Sequence, residues 1–349
     1  MKEILLDLHR EDFEVLAAEF GQPKFRAGQI YSAVFSGLQI DEITNISKDL
    51  REKLKEKYVA NPVEIFKKFV STDGTIKYAL KLQDGEIIEC VVLSYKHGRT
   101  ICLSTQVGCR MGCAFCASGL NGLVRNLSSG EILGEILAVN RDLGGGSTKR
   151  EITNIVLMGS GEPLDNYDNV CDFLKKVSSE DCLNISQRNI SLSTCGLVDK
   201  IKQLADDGFS ITLTISLHAP NDAIRKSIMK IANAYSVKEV IDATKYYFNK
   251  TGRRVVFEYA MISGVNDSFA NAKELAKVVS GYPTHINLIP LNSVKEKNLL
   301  STAKKQIYAF KDKLEENGAS VSIRRSLGAD IEGACGQLRN KLLKNSSQN

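Results

Sequence analysis

The sequence predicts an α/β protein whose core is a curled, barrel-like parallel sheet. Six β-prone runs alternate with amphipathic helical runs from about residue 100 onward. Such alternation implies parallel strands joined by helical crossovers. A helical stretch of about sixty residues precedes it, and a run punctuated by hairpin turns lies between the two. With 349 residues, 43% of them hydrophobic and 25% charged, the chain suits two domains or one barrel with an appendage. That composition excludes a disordered, collagen-like or coiled-coil chain.

The elements follow in order. Residues 1–60 carry apolar side chains at three- and four-residue spacing, as in Phe25, Ile30 and Val34, with Gly21, Pro23 and Gly37 between the helical runs. Acidic residues slightly outnumber basic ones here, so this is a helical domain and not a basic arm; packing and RNA docking are both open to it. Residues 61–98 read as a small β-rich accessory unit with strands at Ile65–Val70, Lys77–Leu82 and Ile87–Leu93. Asp73-Gly74 and Asp84-Gly85 turn between them. The core, 99–325, places strands at Ile101–Thr105, Ile152–Met158, Asn189–Thr194, Ile211–Leu217, Val255–Met261 and His285–Pro290. Helices fall near 129–143, 166–178, 197–207, 236–250 and 268–280, two of them opening on Ser-x-x-Glu capping boxes. A last helix (301–317) and a strand-like Ser320–Arg324 close the core. Residues 326–349 form a C-terminal segment whose polar end, Asn340–Asn349, is expected to fray.

A net charge of +5 permits an RNA partner without requiring one. No apolar run approaches the ~18–20 residues of a membrane span. Charges interrupt the N-terminus where an export signal would be apolar, so a cytoplasmic protein is expected. Nine cysteines then suggest reduced thiols, a metal site or redox chemistry rather than a disulfide scaffold.

In such a core, function collects in the loops after the strands. The first carries Cys109, Cys113 and Cys116, a C-x3-C-x2-C triplet that can wrap a soft metal centre but lacks a nearby fourth ligand. A structural zinc site normally closes with four. An iron–sulfur cluster with one open iron is favoured; a zinc site with a remote fourth ligand and three incidental thiols are the alternatives. The second loop holds Gly159-Ser-Gly161-Glu162-Pro163, whose glycines allow close approach of a ligand. Its carboxylate can accept from an ammonium group. Ser193, Ser216-Leu217-His218 and Asn292 sit at later strand ends and together suit a pocket rim, with His218 read as a hydrogen-bond donor. Cys102 lies on the first core strand, where a buried apolar role is the plain reading, and Cys335 in a Gly-flanked segment near the end.

The cysteine triplet, with Phe115 before its third member, resembles the radical S-adenosylmethionine (SAM) enzymes. The wider set narrows this. Phe25-Arg-Ala-Gly-Gln-Ile30, Val107-Gly-Cys109, Asn126-Leu127 and Gly161-Glu-Pro-Leu164 resemble the RlmN/Cfr adenosine methyltransferases. So do Ile215-Ser-Leu-His-Ala-Pro220, Gly264-Val-Asn-Asp267, Ile286-Asn-Leu-Ile-Pro290 and Ala334-Cys-Gly-Gln-Leu338. The likeness covers nearly the whole chain.

The resemblance implies a partial (β/α)6 radical SAM barrel and a [4Fe–4S] cluster on Cys109, Cys113 and Cys116. It implies SAM contacts at Gly161, Glu162, Ser193, Ser216, Leu217, His218 and Asn292. Two SAM molecules are consumed per turnover. One methylates Cys335; the other yields a radical that takes hydrogen from that S-methyl group, and the resulting methylene radical adds to an adenine. Glu89 matches the family's base, although a carboxylate alternating with apolar residues can equally face solvent. Cys102 then attacks Cys335, leaving a transient disulfide and methylated adenine. RlmN-type members act at C2 of an adenine in the peptidyl-transferase region of 23S rRNA, and many also on the adenine 3′ of the tRNA anticodon; Cfr-type members act at C8 of the rRNA base. Pro163 resembles the RlmN type. A flavodoxin or ferredoxin as electron donor and a monomeric state are expected. Arg99, Arg110, Arg125, Arg324, Arg325 and Arg339 lie near the motif loops, free in principle to meet phosphates. A radical SAM enzyme with a non-RNA substrate and a zinc-stabilised RNA-binding module are the competing functions.

Overall fold

The structure, a computed structural model, describes residues 1–96, 98–146 and 149–338. Arg339 and the polar Asn340–Asn349 end lie outside the described residues. The helical unit holds β1 (Glu3–Ile4), α1 (Arg10–Glu19), α2 (Phe25–Phe35), α3 (Lys48–Lys57) and β2 (Tyr58–Val59). Next come β3 (Glu64–Val70), β4 (Ile76–Lys81), β5 (Ile87–Tyr95) and β6 (Gly98–Cys102). A short hairpin follows, β7 (Gln106–Gly108) with β8 (Leu123–Asn126), and then α4 (Ser129–Asp142). The repeat continues through β9 (Ile152–Leu157), α5 (Tyr167–Ser178), β10 (Ile190–Thr194), α6 (Val198–Asp206), β11 (Thr212–Ser216), α7 (Asp222–Ile228) and α8 (Val237–Thr251). It ends with β12 (Val255–Met261), α9 (Phe269–Val278), β13 (Thr284–Pro290), α10 (Lys304–Glu316) and β14 (Val321–Ile323).

One ten-stranded sheet runs β14-β13-β12-β11-β10-β9-β6-β5-β4-β3. From β6 to β14 every neighbouring pair is parallel and follows chain order. Right-handed crossovers without a reversal of order put all helices on one face and leave the other to curl around an interior. That is the partial (β/α)6 barrel, with β14 as an extra closing strand. β12 is buried at every position, as a strand covered on both faces must be. Both expected capping boxes form, Ser128 with Glu131 and Ser236 with Glu239.

Two differences from the sequence reading bear on the site. The first core strand is Gly98–Cys102 and not Ile101–Thr105, because the backbone leaves the ladder after Leu103. Thr105 and Gln106 both donate to the Ser160 carbonyl, which folds the chain over the glycine loop. The antiparallel stretch at 61–98 is joined edge to edge with the barrel. β5 pairs with β6 from Val91↔Cys102 to Tyr95↔Gly98, filling the edge of β6 that β9 leaves open.

The helical unit has its own aromatic centre, where Phe13 meets Tyr31 edge-on at 5.3 Å and Tyr31 stacks on Phe35 at 4.4 Å. It docks where Asp7 Oδ1 accepts from the Gly130 N–H at 2.6 Å and Lys176 Nζ donates to the carbonyls of Leu6 and Asp7. A Cβ on Gly130 would stand 2.8 Å from the Asp7 backbone nitrogen, so the contact requires glycine.

Candidate active site

The loop after β6 is framed by the β7–β8 hairpin. A Cβ on Gly108 would lie 2.0 Å from the Gly122 carbonyl oxygen, and the Cys109 N–H donates to that same oxygen at 2.9 Å. Beyond the hairpin the loop is tied on two sides. Ala114 donates to Ile228 at the end of α7, while Ala117 donates to Gly336 and Ser118 Oγ to Leu338 in the C-terminal segment. Cys109, Cys113 and Cys116 therefore line one wall of a cavity of about 150 Å³.

Burial pushes the Cys109 thiol up to about 12 and the Cys113 thiol higher still, with neighbouring thiols adding to the rise. Buried sulfurs of this kind become thiolates when a metal supplies the countercharge. Among the described residues no three His, Cys, Asp or Glu side chains converge tightly enough to hold one metal ion. A spread triplet suits a multi-iron cluster, which takes one thiolate per iron, better than a lone zinc ion.

The opposite wall comes from later strand ends. Gly159 and Gly161 approach the β6–β7 chain so closely that a Cβ would meet the Leu103 carbonyl at 2.5 Å or Gln106 Cβ at 2.7 Å. Glu162 is buried, and its carboxylate accepts from the N–H groups of Leu164 at 3.0 Å and Cys195 at 2.7 Å. It thus braces the glycine turn against the end of β10, with burial raising its pKa and the Cys195 N–H opposing that. Remaining lone pairs face the cavity it lines. Ser193 Oγ lies 3.3 Å from Ser216 Oγ and donates to Glu258 Oε2 at 3.3 Å. His218 Nδ1 accepts from the Ala260 N–H at 2.9 Å, and Phe115 meets its ring edge-on at 4.7 Å. Burial lowers the His218 pKa to about 3, so the ring is neutral at pH 7 and carries its proton on Nε2. Nε2 is then the ring atom with a proton to donate.

One site residue falls elsewhere. The Leu217 side chain is fully buried in the main hydrophobic core and does not line the cavity. Ser216 faces inward, and side chains at successive positions point to opposite sides.

Asn292 lines the cavity, but its Nδ2 donates to the Cys335 carbonyl at 3.0 Å, so it anchors the C-terminal segment. Cys335 lines this cavity and also an adjoining one of about 40 Å³, where Cys102 lies across from it among Val91, Leu93, Met158 and Leu338. All nine thiols are free. Glu89 is buried and pairs with Lys77 Nζ at 3.1 Å, so it is not a solvated side chain. On β5 it shares a face with Val91 and Leu93, two lining residues of the smaller cavity.

Sequence reasoning overlooked Glu258 and Arg225. Arg225 is fully buried and donates to the Cys195 and Leu217 carbonyls, tying two strand ends together. It left the Gly264–Asp267 motif without a physical role: Asn266 Nδ2 donates to the carbonyls of both His218 and Ala260, fixing the rim. Arg99, Arg110 and Arg125 pair with Glu151, Asp165 and Glu131 respectively, and so are engaged as ion partners.

A model of the radical SAM superfamily matches residues 103–276, and one of the ribosomal RNA large subunit methyltransferase N-terminal domain matches residues 4–60. The probable dual-specificity RNA methyltransferase RlmN of Clostridium novyi (strain NT) is 52% identical over 328 residues, covering 93% of this chain and 94% of that protein. The chain belongs to the RlmN family. Its namesake in Clostridium perfringens (strain 13 / Type A) is 50% identical over 347 residues, 99% of this chain and 98% of that one. A radical SAM methyltransferase from Sphaerobacter thermophilus superposes with a TM-score of 0.93 at 39% identity, covering 97% of this chain and all of that one. RlmN-family membership makes this a radical SAM RNA methyltransferase that uses an iron–sulfur cluster and SAM. No helix among the described residues is long and apolar enough to cross a membrane.

Proposed function

We propose that this enzyme methylates C2 of an adenine in the peptidyl-transferase region of 23S rRNA, and C2 of the adenine 3′ of the anticodon in tRNAs. One observation carries the reading: Cys335 is shared between the cavity of the cysteine triplet and the cavity of Cys102. A sulfur that must first accept a methyl group and later be attacked by a second thiol needs access to both.

Adenine C2 is not a nucleophile, so a polar methyl transfer to it fails. When bound, the cluster and SAM supply a carbon radical able to take hydrogen from an S-methyl group. The protein's own groups do the rest. Cys109, Cys113 and Cys116 would hold the cluster, with Gly161, Glu162, Ser193, Ser216 and His218 around SAM. Cys335 sulfur accepts a methyl group by displacement. Once its carbon is bonded to the adenine, Glu89, positioned by its ion pair with Lys77 at 3.1 Å, takes the ring proton. With that proton the ring radical gives up one electron to the external carrier. Cys102 thiolate then attacks Cys335 sulfur; the S–S bond forms and the S–C bond breaks with its electron pair on the methylene carbon. That carbon takes a proton back from Glu89 to become the methyl group of the product. Each turnover consumes two SAM molecules, and a flavodoxin or ferredoxin supplies electrons.

The test is nucleoside mass spectrometry after anaerobic reaction of the reconstituted protein with methyl-deuterated SAM, a reductant and unmodified 23S rRNA or tRNA. Labelled 2-methyladenosine is expected from both. Labelled 8-methyladenosine would move the enzyme to the Cfr-type reaction, and unlabelled RNA with SAM still cleaved would overturn the RNA assignment.

A further inference from the structure

The smaller cavity has a charged wall. The backbone of Arg324 extends the β13–β14 ladder, its N–H donating to the Leu288 carbonyl at 2.8 Å, and this aims the side chain inward. Nη1 donates to Glu258 Oε1 at 2.6 Å and lies 3.6 Å from Met158 Sδ. Glu258 is in turn bonded to Ser193, so the guanidinium is pinned from the SAM side of the barrel. Its side chain is only 24% exposed, which removes it from ordinary phosphate contact. Arg324 shares the wall of this cavity with Cys102 and Cys335.

Disulfide closure needs Cys102 as a thiolate, since the thiol is a poor nucleophile. Its surroundings oppose that. Burial pushes the Cys102 thiol well up, and Cys335 and Glu135 push it further; the Arg324 guanidinium and the Met158 N–H pull it down. Cys90 couples to it from β5, and Tyr95 lines the same cavity. Arg325 lines the same cavity, but Arg324 is the cation whose charge acts on Cys102, as it also does on Cys335.

We propose that Arg324, held by Glu258, is a positioning residue that stabilises the Cys102 thiolate as it attacks Cys335 and releases the methylated RNA. The proposal rests on the reading in which Cys102 resolves a protein–RNA adduct. A guanidinium fixed by a carboxylate on one nitrogen can meet the developing thiolate with its other N–H groups without reorganising. Its charge is largely matched by Glu258 at rest, so the resting thiol stays protonated and resistant to oxidation.

The experiment follows adduct decay in the cluster-loaded enzyme with RNA, from pH 7 to 9, in the unaltered protein, Arg324→Met, Arg324→Lys and Cys102→Ala. Denaturing gels report the covalent adduct and mass spectrometry the product. Arg324→Met should lengthen the adduct lifetime by about tenfold or more at pH 7, one pKa unit being a tenfold change in thiolate fraction. Both lifetimes should shorten about tenfold per pH unit, because the thiolate fraction of a thiol titrating well above pH 9 grows in that proportion in parent and variant alike. Arg324→Lys keeps a charge without the fork and should show a smaller delay, which keeps the test usable if the methionine variant does not fold. A lifetime equal to the unaltered protein's, or a variant decay that does not quicken with pH, would overturn the role of Arg324. If Cys102→Ala accumulates no adduct, the failure lies instead with the resolving role of Cys102.

Discussion

The two adjoining cavities share Met158, Ile289, Asn292 and Cys335 and differ in nearly everything else. The larger is walled by strand-end polar groups, the cysteine loop and glycines at which a side chain would collide with backbone or Gln106. Its polar groups are already paired with one another, as Glu162 is with Cys195 and His218 with Ala260. The smaller sets two thiols and the guanidiniums of Arg324 and Arg325 among apolar side chains such as Val91, Leu93 and Leu338. A preformed polar cradle suits a cofactor that arrives and leaves; a dry slot around a thiol pair suits a bond made only after RNA is attached. The difference teaches that one sulfur borders two chemically unlike cavities because the segment carrying it is tied to both walls. Ser71 and Asp73 of the β3–β4 turn bond Asp330 and Gly328, while Asn292 and Ser118 bond Cys335 and Leu338.

The largest effect should come from the sulfur common to both cavities. Cys335→Ala should reduce labelled methyladenosine to the uncatalysed background while leaving SAM cleavage to 5′-deoxyadenosine measurable, because the larger cavity is intact. Product formation by this variant would mean that methyl transfer bypasses Cys335 and that the two cavities have no shared task.

Next is the buried pair beside the smaller cavity. Glu89→Gln should cut product by about 10²-fold, the usual contribution of a positioned base, and should leave a covalent protein–RNA adduct on a denaturing gel. Lys77→Met should act in the same direction, since it strands a buried carboxylate without its 3.1 Å partner. Normal yield from Glu89→Gln would remove that residue from the chemistry.

A milder change isolates the larger cavity. Gly161 has φ +107, and a Cβ there would sit 2.7 Å from Gln106. Gly161→Ala should therefore displace the turn and weaken SAM binding by about tenfold, a loss of about 1.4 kcal/mol, with no adduct accumulating. Equilibrium dialysis with SAM reads it directly. Unaltered affinity would show that the turn does not shape the cofactor's wall.

Much of this arrangement was legible because it follows local rules. The alternation of period-2 and period-3.6 segments gave the parallel core, and C-x3-C-x2-C marked the loop after its first strand. The pairing of Cys102 with Cys335 entered through the family resemblance, since nothing in their spacing links them. The ion pair of Glu258 with Arg324 spans 66 residues, and no periodicity links partners so far apart. Lys77 and Glu89 meet only because β4 and β5 pair in register, Ala79 facing Glu89 and Lys77 facing Val91. Leu217 directly follows Ser216, the inward-facing end of β11, and so turns its side chain into the core.

The smallest expected effect tests whether the larger cavity is a neutral cradle. His218 is held neutral by burial, with a folded pKa of about 3 against the ordinary 6.5 of a free imidazole. Between those values the unfolded chain binds a proton that the folded chain refuses. This group's contribution to stability is therefore complete above pH 6.5 and is lost as pH falls toward 3. Glu162 and Glu135 work in the opposite sense, because their raised pKa values make the folded state the better proton acceptor as pH falls. The sum over all groups is thus uninformative, and the difference between variant and parent isolates the ring. His218→Gln keeps an acceptor for the Ala260 N–H and a donor toward the cavity but does not titrate. Methylation at pH 7 should fall by only about threefold, under 1 kcal/mol of lost transition-state stabilisation. Urea midpoints measured from pH 7 down to 4.5 should decline less steeply for the variant than for the parent. Parallel declines would mean that the ring is not held neutral in the folded state. A product loss of a hundredfold or more with the midpoints behaving as expected would mean that His218 moves a proton and does not merely donate a hydrogen bond.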